Sequence, residues 1–130
     1  MAEKAAQVSH DGEAVHAARV VAAMVSAAFV EKNMSNLLDI GVGFIPEDCL
    51  VAEVHRDVRS WCLEDKDWRR TYQRIDEKYG YHCYGGNCHV IPNHALMVMA
   101  WSYAPDNFHE SQKIINTAGW DTDCNAANVG

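Results

Sequence analysis

The chain has 130 residues, of which 48% are hydrophobic and 22% are charged, and its formal net charge is −7. This composition is typical of a globular protein that is long enough to bury a core. The acidic balance argues against nucleic acid as a partner, because phosphates are bound by clustered Lys and Arg and only Arg69–Arg70 form a basic pair. We therefore expect a single domain, residues 1–130, that does not bind nucleic acid.

No export signal or membrane span is expected. The polar N-terminus lacks the apolar segment of a signal peptide. The longest apolar stretch, Ala14–Val30, is interrupted by His16, Arg19 and Ser26, which is typical of a buried helix. The five cysteines follow no regular framework, so we expect reduced thiols and a cytoplasmic location.

Hydrophobic periodicity predicts helices and no strand. The first long helix is expected from Gly12 to Lys32, with Asp11 as N-cap, and its many alanines predict a central position in the fold. Ser35 should cap a short turn over 36–40 that Gly41 and Gly43 end. Further helices are expected from Pro46 to Leu63, over 68–78, from Pro92 or Asn93 to Ala104, over 108–117, and from about Asp123 to Gly130.

The predicted fold class is therefore all-α, an orthogonal multi-helix bundle. Because the last helix is cut off after about two turns, we expect the chain to be a fragment of a larger all-helical domain. Its oligomeric state cannot be read from these patterns.

An acidic motif, Asp121-Thr122-Asp123, precedes the last predicted helix. Two carboxylates two residues apart diverge on a regular helix, but in a turn before a helix they can bend towards one point and bind a hard cation such as Mg²⁺. The helix N-terminus is itself positive, so further acidic ligands would be needed. The alternative interpretation is that the aspartates only cap the helix.

The surrounding residues resemble the ADP-ribosylglycohydrolase family, relatives of the dinitrogenase reductase-activating glycohydrolase and of crystallin J1. The family signature reads Gly-Gly-Asp-Thr-Asp-Thr followed by small residues, and Gly119, Asp121, Thr122 and Asp123 match it. Upstream, Ser9-His10 before an alanine-rich helix, the segment 89–96 and the segment 107–110 are similar to the family's other segments. The resemblance spans nearly the whole chain.

This resemblance implies an all-helical hydrolase that cleaves the glycosidic bond of ADP-ribose conjugates, with two Mg²⁺ ions, sometimes replaced by Mn²⁺, at the base of a cleft. Asp121 and Asp123 would be metal ligands. Gly119 would allow close approach of the ligand, and His10 would lie near the substrate. The partner would be an ADP-ribosylated protein or a small-molecule ADP-ribose conjugate, and the residues do not indicate which linkage is cleaved.

Three departures from the family pattern affect these expectations. Cys124 replaces the final threonine, and a thiol is a poor ligand for a hard cation. Trp120 replaces a glycine, so its indole is expected either to line the cleft or to pack in the core. The chain lacks the family's Thr-Asp-Asp motif, so we expect the isolated chain to be inactive. It would then be either one part of an active site or a catalytically inactive ADP-ribose-binding relative.

A different hypothesis rests on His82, Cys83, Cys88 and His89, which flank the turn Gly85-Gly86. Four nitrogen or sulfur ligands could hold a structural Zn²⁺, which would make the chain a small helical zinc-stabilised binding module. Alternatively the two cysteines could form a disulfide, or the loop could be a reduced rim of the cleft with His89 near the ligand.

Of the remaining histidines, His16, His55 and His109 are expected to be surface or partly packed residues. A haloacid-dehalogenase interpretation of Asp-Thr-Asp is disfavoured, because no apolar strand precedes the motif.

Overall fold

The computed structural model describes residues 1–130 and consists of helices without any strand, which confirms the predicted all-α class. None of the helices combines the length and apolarity that crossing a membrane requires. In chain order the helices are α1 (Ala2–Ala6), α2 (Gly12–Ala27), α3 (Met34–Val42), α4 (Leu50–Asp65), α5 (Trp68–Tyr79), a 3₁₀ turn (Tyr81–Cys83), α6 (Val90–Tyr103), α7 (Phe108–Ala118) and α8 (Thr122–Val129).

Helix α6 is the centre of the molecule. Every residue from Ile91 to Trp101 is buried, and the helix packs against α2, α3, α4, α5, α7 and α8. The prediction that α2 is central is wrong: Ala22, Val25 and Ala28 are exposed. Small side chains bury little apolar area, whereas α6 is apolar on all sides and is therefore stabilised by burial all round.

Helix α3 is a full helix rather than the short turn expected. Its N-cap is Asn33, whose side chain accepts a hydrogen bond from the backbone N–H of Asn36 at 3.1 Å, and not Ser35. Gly41 lies inside the helix instead of ending it. A Cβ at Gly41 would lie 2.9 Å from side-chain atoms of Val20 and Met24, so this glycine lets α3 approach α2 closely.

Several helix boundaries also differ from the predicted ones. Helix α2 ends at Ala27 instead of Lys32, and α1 was not expected. Helix α6 begins at Val90, because the imidazole of His89 accepts a hydrogen bond from the Ile91 N–H at 3.2 Å and caps it.

Helix α4 begins at Leu50 rather than at Pro46, because its cap comes from a distant part of the chain. The carboxylate of Glu13 accepts hydrogen bonds from the backbone N–H groups of Leu50 (3.2 Å) and Val51 (2.9 Å). A negative charge at this position satisfies two unpaired donors and is favoured by the helix dipole.

Candidate functional site

The backbone between α7 and α8 reverses over three irregular residues. Gly119 has φ 85° and Trp120 has φ 61°, both in the left-handed region. Asp121 follows at φ −82° and ψ 69°, and the Thr122 N–H donates to the Trp120 carbonyl at 3.0 Å, which defines an inverse γ-turn centred on Asp121. Asp121 therefore stands outside the regular geometry of α8.

This turn gathers three potential ligands, which we call the α8 cluster: Asp121, Asp123 and Cys124. Their ligand atoms all lie within 4.8 Å of one another, with Asp121 half-buried and the other two side chains exposed. Carboxylates at this spacing on a regular helix would point apart. The irregular backbone at Asp121 is what allows them to converge.

Within the α8 cluster, Asp121 shifts the pKa values of the other two residues. A hydrogen bond with Asp121, followed by backbone hydrogen bonds, lowers the pKa of Asp123. The same neighbour has the opposite effect on the thiol: a hydrogen bond with Asp121 and the negative charges of both aspartates raise the pKa of Cys124. In the absence of a cation, these interactions therefore favour an ionised Asp123 carboxylate and a neutral Cys124 thiol.

A cleft of about 1490 Å³ opens beside the cluster. One wall is apolar and is formed by α2, including Ala14, Ala18 and Val21; the opposite wall comes from the loop 84–89 and the start of α6. The polar side chains that line the cleft include His10, Asp11, Glu13, Asn87, His89, Asn93, His94, Asp121, Asn125 and Asn128, together with the thiols of Cys88 and Cys124. Among the predicted site residues, the cleft brings together His10, Asp121 and Cys124.

His10 stands at the opening of this cleft, on the chain segment just before α2. Its side chain is exposed, and its Nδ1 lies 2.6 Å from the hydroxyl oxygen of Ser9. This contact orients one ring nitrogen and leaves the other free to meet a ligand.

Gly119, Trp120 and Asp123 do not line the cleft. Trp120 packs between two tyrosine rings, with centroid distances of 5.5 Å to Tyr72 and 5.0 Å to Tyr81. A Cβ on Gly119 would meet no atom within 4 Å, so its positive φ, rather than crowding, accounts for the glycine. Contact of Gly119 or Trp120 with a ligand stays a prediction.

The loop proposed for zinc does not gather its ligands. No three of His82, Cys83, Cys88 and His89 have ligand atoms within 4.8 Å of one another, and both cysteines are free thiols. His89 caps α6 and stacks on Tyr84 with a centroid distance of 4.1 Å. The arrangement matches the reduced rim of a cleft, with His89 on its wall.

A buried polar network beside the cluster was not predicted. The Oδ1 of Asn93 accepts hydrogen bonds from the hydroxyl of Tyr81 (2.7 Å) and the side-chain amide of Asn125 (3.2 Å). This network ties α6 to the start of α8 at the wall of the cleft, which Asn93 and Asn125 both line. The signal in the sequence was a pair of polar residues, Asn93 and His94, at the start of an otherwise apolar helix.

The prediction that His55 lies near the surface is wrong. His55 and His94 are each 1% exposed, and their Nε2 atoms lie 2.8 Å apart. Burial lowers the pKa of both, that of His94 to about 4, and for His55 the neighbouring charges of His94 and Arg59 act in the same direction. Both imidazoles are therefore neutral at physiological pH.

His16 is half-buried and His109 is exposed, as expected.

The family model for ADP-ribosylglycohydrolase matches residues 1–130, the whole chain. No curated protein and no solved structure matches the chain at a significant level. The match covers the α8 cluster, the cleft and the helices that position them. The chain therefore belongs to the ADP-ribosylglycohydrolase family.

Proposed function

We propose that this chain supplies the metal-binding part of a Mg²⁺-dependent glycosidic hydrolase that acts on ADP-ribose linked to a protein side chain or a small molecule. The observation that carries the proposal is the convergence of Asp121 and Asp123 at the N-terminus of α8, beside a cleft of about 1490 Å³. Membership of a glycohydrolase family supports the reaction class. The metal and the ADP-ribose linkage are what the family resemblance implies, and the chemistry of the side chains supports the residue roles.

The donor set fits a hard divalent cation only in part. Two carboxylates offer the oxygen ligands that Mg²⁺ prefers, and Mn²⁺ accepts the same ligands. The thiol of Cys124 is a poor ligand for either ion, so Asp121 and Asp123 would hold the metal. When bound, such an ion would supply Lewis-acid stabilisation of developing negative charge and orient ribose hydroxyls.

The side chains of the cleft suit the parts of an ADP-ribose conjugate. The apolar wall of α2 offers a surface for a flat base, and the amides of Asn125 and Asn128 face the cleft near the cluster, where they can bind hydroxyl groups. His10 can donate a hydrogen bond to a phosphate or ribose oxygen. The apolar residues of α2 and the polar groups beside the α8 cluster would together fix the orientation of the substrate.

Titration of the chain with ADP-ribose, with and without Mg²⁺, tests this proposal. We expect measurable binding that is strengthened by Mg²⁺, and loss of the Mg²⁺-dependent part in Asp121→Asn and in Asp123→Asn. Asp106→Asn is the matched control, because Asp106 is exposed and lies outside the cleft. Absence of binding under both conditions would refute the proposed substrate, and Mg²⁺-independent binding would refute the proposed metal role.

A turnover assay separates the hydrolase from an ADP-ribose-binding relative. Release of free ADP-ribose from arginine- or serine-linked peptides, lost in Asp121→Asn, supports hydrolysis. Binding without release would support a catalytically inactive ADP-ribose-binding relative.

A further inference from the structure

A second group of potential metal ligands lies between the first turn of α2 and the N-terminus of α4 and shares no residue with the α8 cluster. We call it the α2–α4 cluster: Glu13, His16 and Cys49. One ligand atom from each residue lies within 4.8 Å of the corresponding atoms of the other two. Nothing in the family assignment uses these residues.

We propose that the α2–α4 cluster binds Zn²⁺ through the carboxylate of Glu13, a ring nitrogen of His16 and the thiolate of Cys49, and so joins α2 to α4. The three donor types are those that Zn²⁺ accepts, and three protein ligands leave one position for water. Glu13 also lines the cleft, but the proposed hydrolase function places its metal on Asp121 and Asp123, so the two metal sites can be tested separately.

The spacing of the ligands follows from the helices. Glu13 and His16 are three residues apart on α2, so they lie on the same face of the helix. Cys49 is the N-cap residue of α4, which packs against α2. The ligand atoms of a tetrahedral zinc ion are roughly 3.3–3.8 Å apart for the usual bond lengths, so the three atoms need to approach one another by at most about 1.5 Å.

An unsatisfied polar atom points to a missing partner at this place. The Nδ1 of His16 is buried and has no hydrogen-bond partner, although His16 as a whole is only half-buried. A buried ring nitrogen without a partner destabilises the fold, and metal coordination in this cluster would remove that destabilisation.

The remaining interactions orient the ligands and balance the charge. Both oxygens of Glu13 already accept backbone hydrogen bonds from the start of α4, which fixes the carboxylate and leaves further lone pairs for a metal. One carboxylate and one thiolate together neutralise a divalent ion. The positive N-terminus of α4 is therefore not a barrier to a cation held by these two anions.

Titration of the full chain with Co²⁺, as a spectroscopic substitute for Zn²⁺, tests this inference. We expect a thiolate-to-cobalt charge-transfer band in the near ultraviolet that is displaced by Zn²⁺ and unaffected by excess Mg²⁺. Cys49→Ser should abolish the band. His16→Gln should weaken binding more than about tenfold, since loss of a ligand costs at least as much as loss of an outer-shell partner.

The matched controls are Cys62→Ser, which removes a partly buried thiol outside the cluster, and Cys124→Ser, which removes the thiol of the α8 cluster. Both should retain the band. If circular dichroism shows that Cys49→Ser does not fold, a second measurement replaces it. The rise in melting temperature caused by Zn²⁺ is then compared between the wild-type chain and His16→Gln. An equal rise in both proteins would overturn the proposal. Absence of the band in the wild-type chain would also overturn the proposal. So would a band that Cys49→Ser retains but that is lost in Cys124→Ser or in Cys83→Ser/Cys88→Ser.

Discussion

Under the proposed metal role, Cys124 is the residue that most limits cation binding at the α8 cluster. Its thiol lies within 4.8 Å of the carboxylate ligand atoms of Asp121 and Asp123, at the position that corresponds to the final threonine of the signature that the motif resembles. A neutral sulfur contributes little to the coordination of Mg²⁺. The two aspartates must therefore provide most of the affinity.

Replacing Cys124 by threonine should strengthen Mg²⁺ binding, because a hydroxyl oxygen is a hard ligand and adds to the donor set of the two carboxylates. We expect a gain in affinity of roughly tenfold, which corresponds to about 1.4 kcal/mol. Isothermal titration with Mg²⁺ measures this change. Cys83→Thr, an exposed substitution outside the α8 cluster, should leave the affinity unchanged; equal affinities of Cys124→Thr and the wild-type chain would contradict a metal site at this position.

Trp120 helps to shape the turn at the α8 cluster although it does not line the cleft. Its ring packs with Tyr72 and Tyr81, and its left-handed backbone brings the chain into the inverse γ-turn at Asp121. A non-glycine residue in this region costs about 1–2 kcal/mol. The aromatic contacts offset this cost and hold the turn against α5 and the 3₁₀ turn.

Among the elements, the contact between α2 and α3 depends on Gly41. This glycine is buried, and a Cβ there would meet two side chains at 2.9 Å and the Val20 carbonyl oxygen at 3.2 Å. Glycine is intrinsically unfavourable in a helix, by about 1 kcal/mol relative to alanine. Its presence inside α3 therefore reflects the close approach of the two helices.

Gly41→Ala should lower the free energy of unfolding by about 1–2 kcal/mol, because overpacking of Val20 and Met24 outweighs the gain in helix propensity. Urea unfolding followed by circular dichroism measures the change. Gly85→Ala is the control, since no atom lies within 4 Å of its Cβ position and its φ is not positive. A stabilised Gly41→Ala variant would show that α2 and α3 are less closely packed than described.

For the molecule as a whole, the buried pair His55 and His94 links global stability to pH. The pair lies between α4 and α6, and the Nδ1 atoms of both rings are buried without a partner. The pKa of each is lowered by burial, so the folded chain keeps them neutral. The unfolded chain binds protons near the ordinary histidine pKa of about 6.5.

The stability that these histidines contribute is therefore complete above about pH 7 and is lost as the pH falls below 6.5, where only the unfolded state takes up protons. Between pH 7.5 and pH 5.5 we expect a loss of about 1.4 kcal/mol for each histidine. Urea unfolding at the two pH values measures it. The double variant His55→Leu/His94→Leu should show a flatter pH dependence, whereas His109→Gln, at an exposed position, should not; the same slope in all three proteins would contradict this assignment.

The hydrophobic pattern was sufficient to predict an all-α chain and most of its helices, because the spacing of apolar residues along one face of a helix is a local property of the sequence. The acidic motif, together with its neighbours, was sufficient to indicate the family. Contacts between distant residues decided the rest: Glu13 sets where α4 begins, and α6 rather than α2 occupies the centre. The same holds for the proximity of Glu13, His16 and Cys49 and for the burial of His55 against His94. These features arise only when helices pack, since each contact joins helices whose residues are tens of positions apart in the sequence. No local pattern predicts which helix faces will meet.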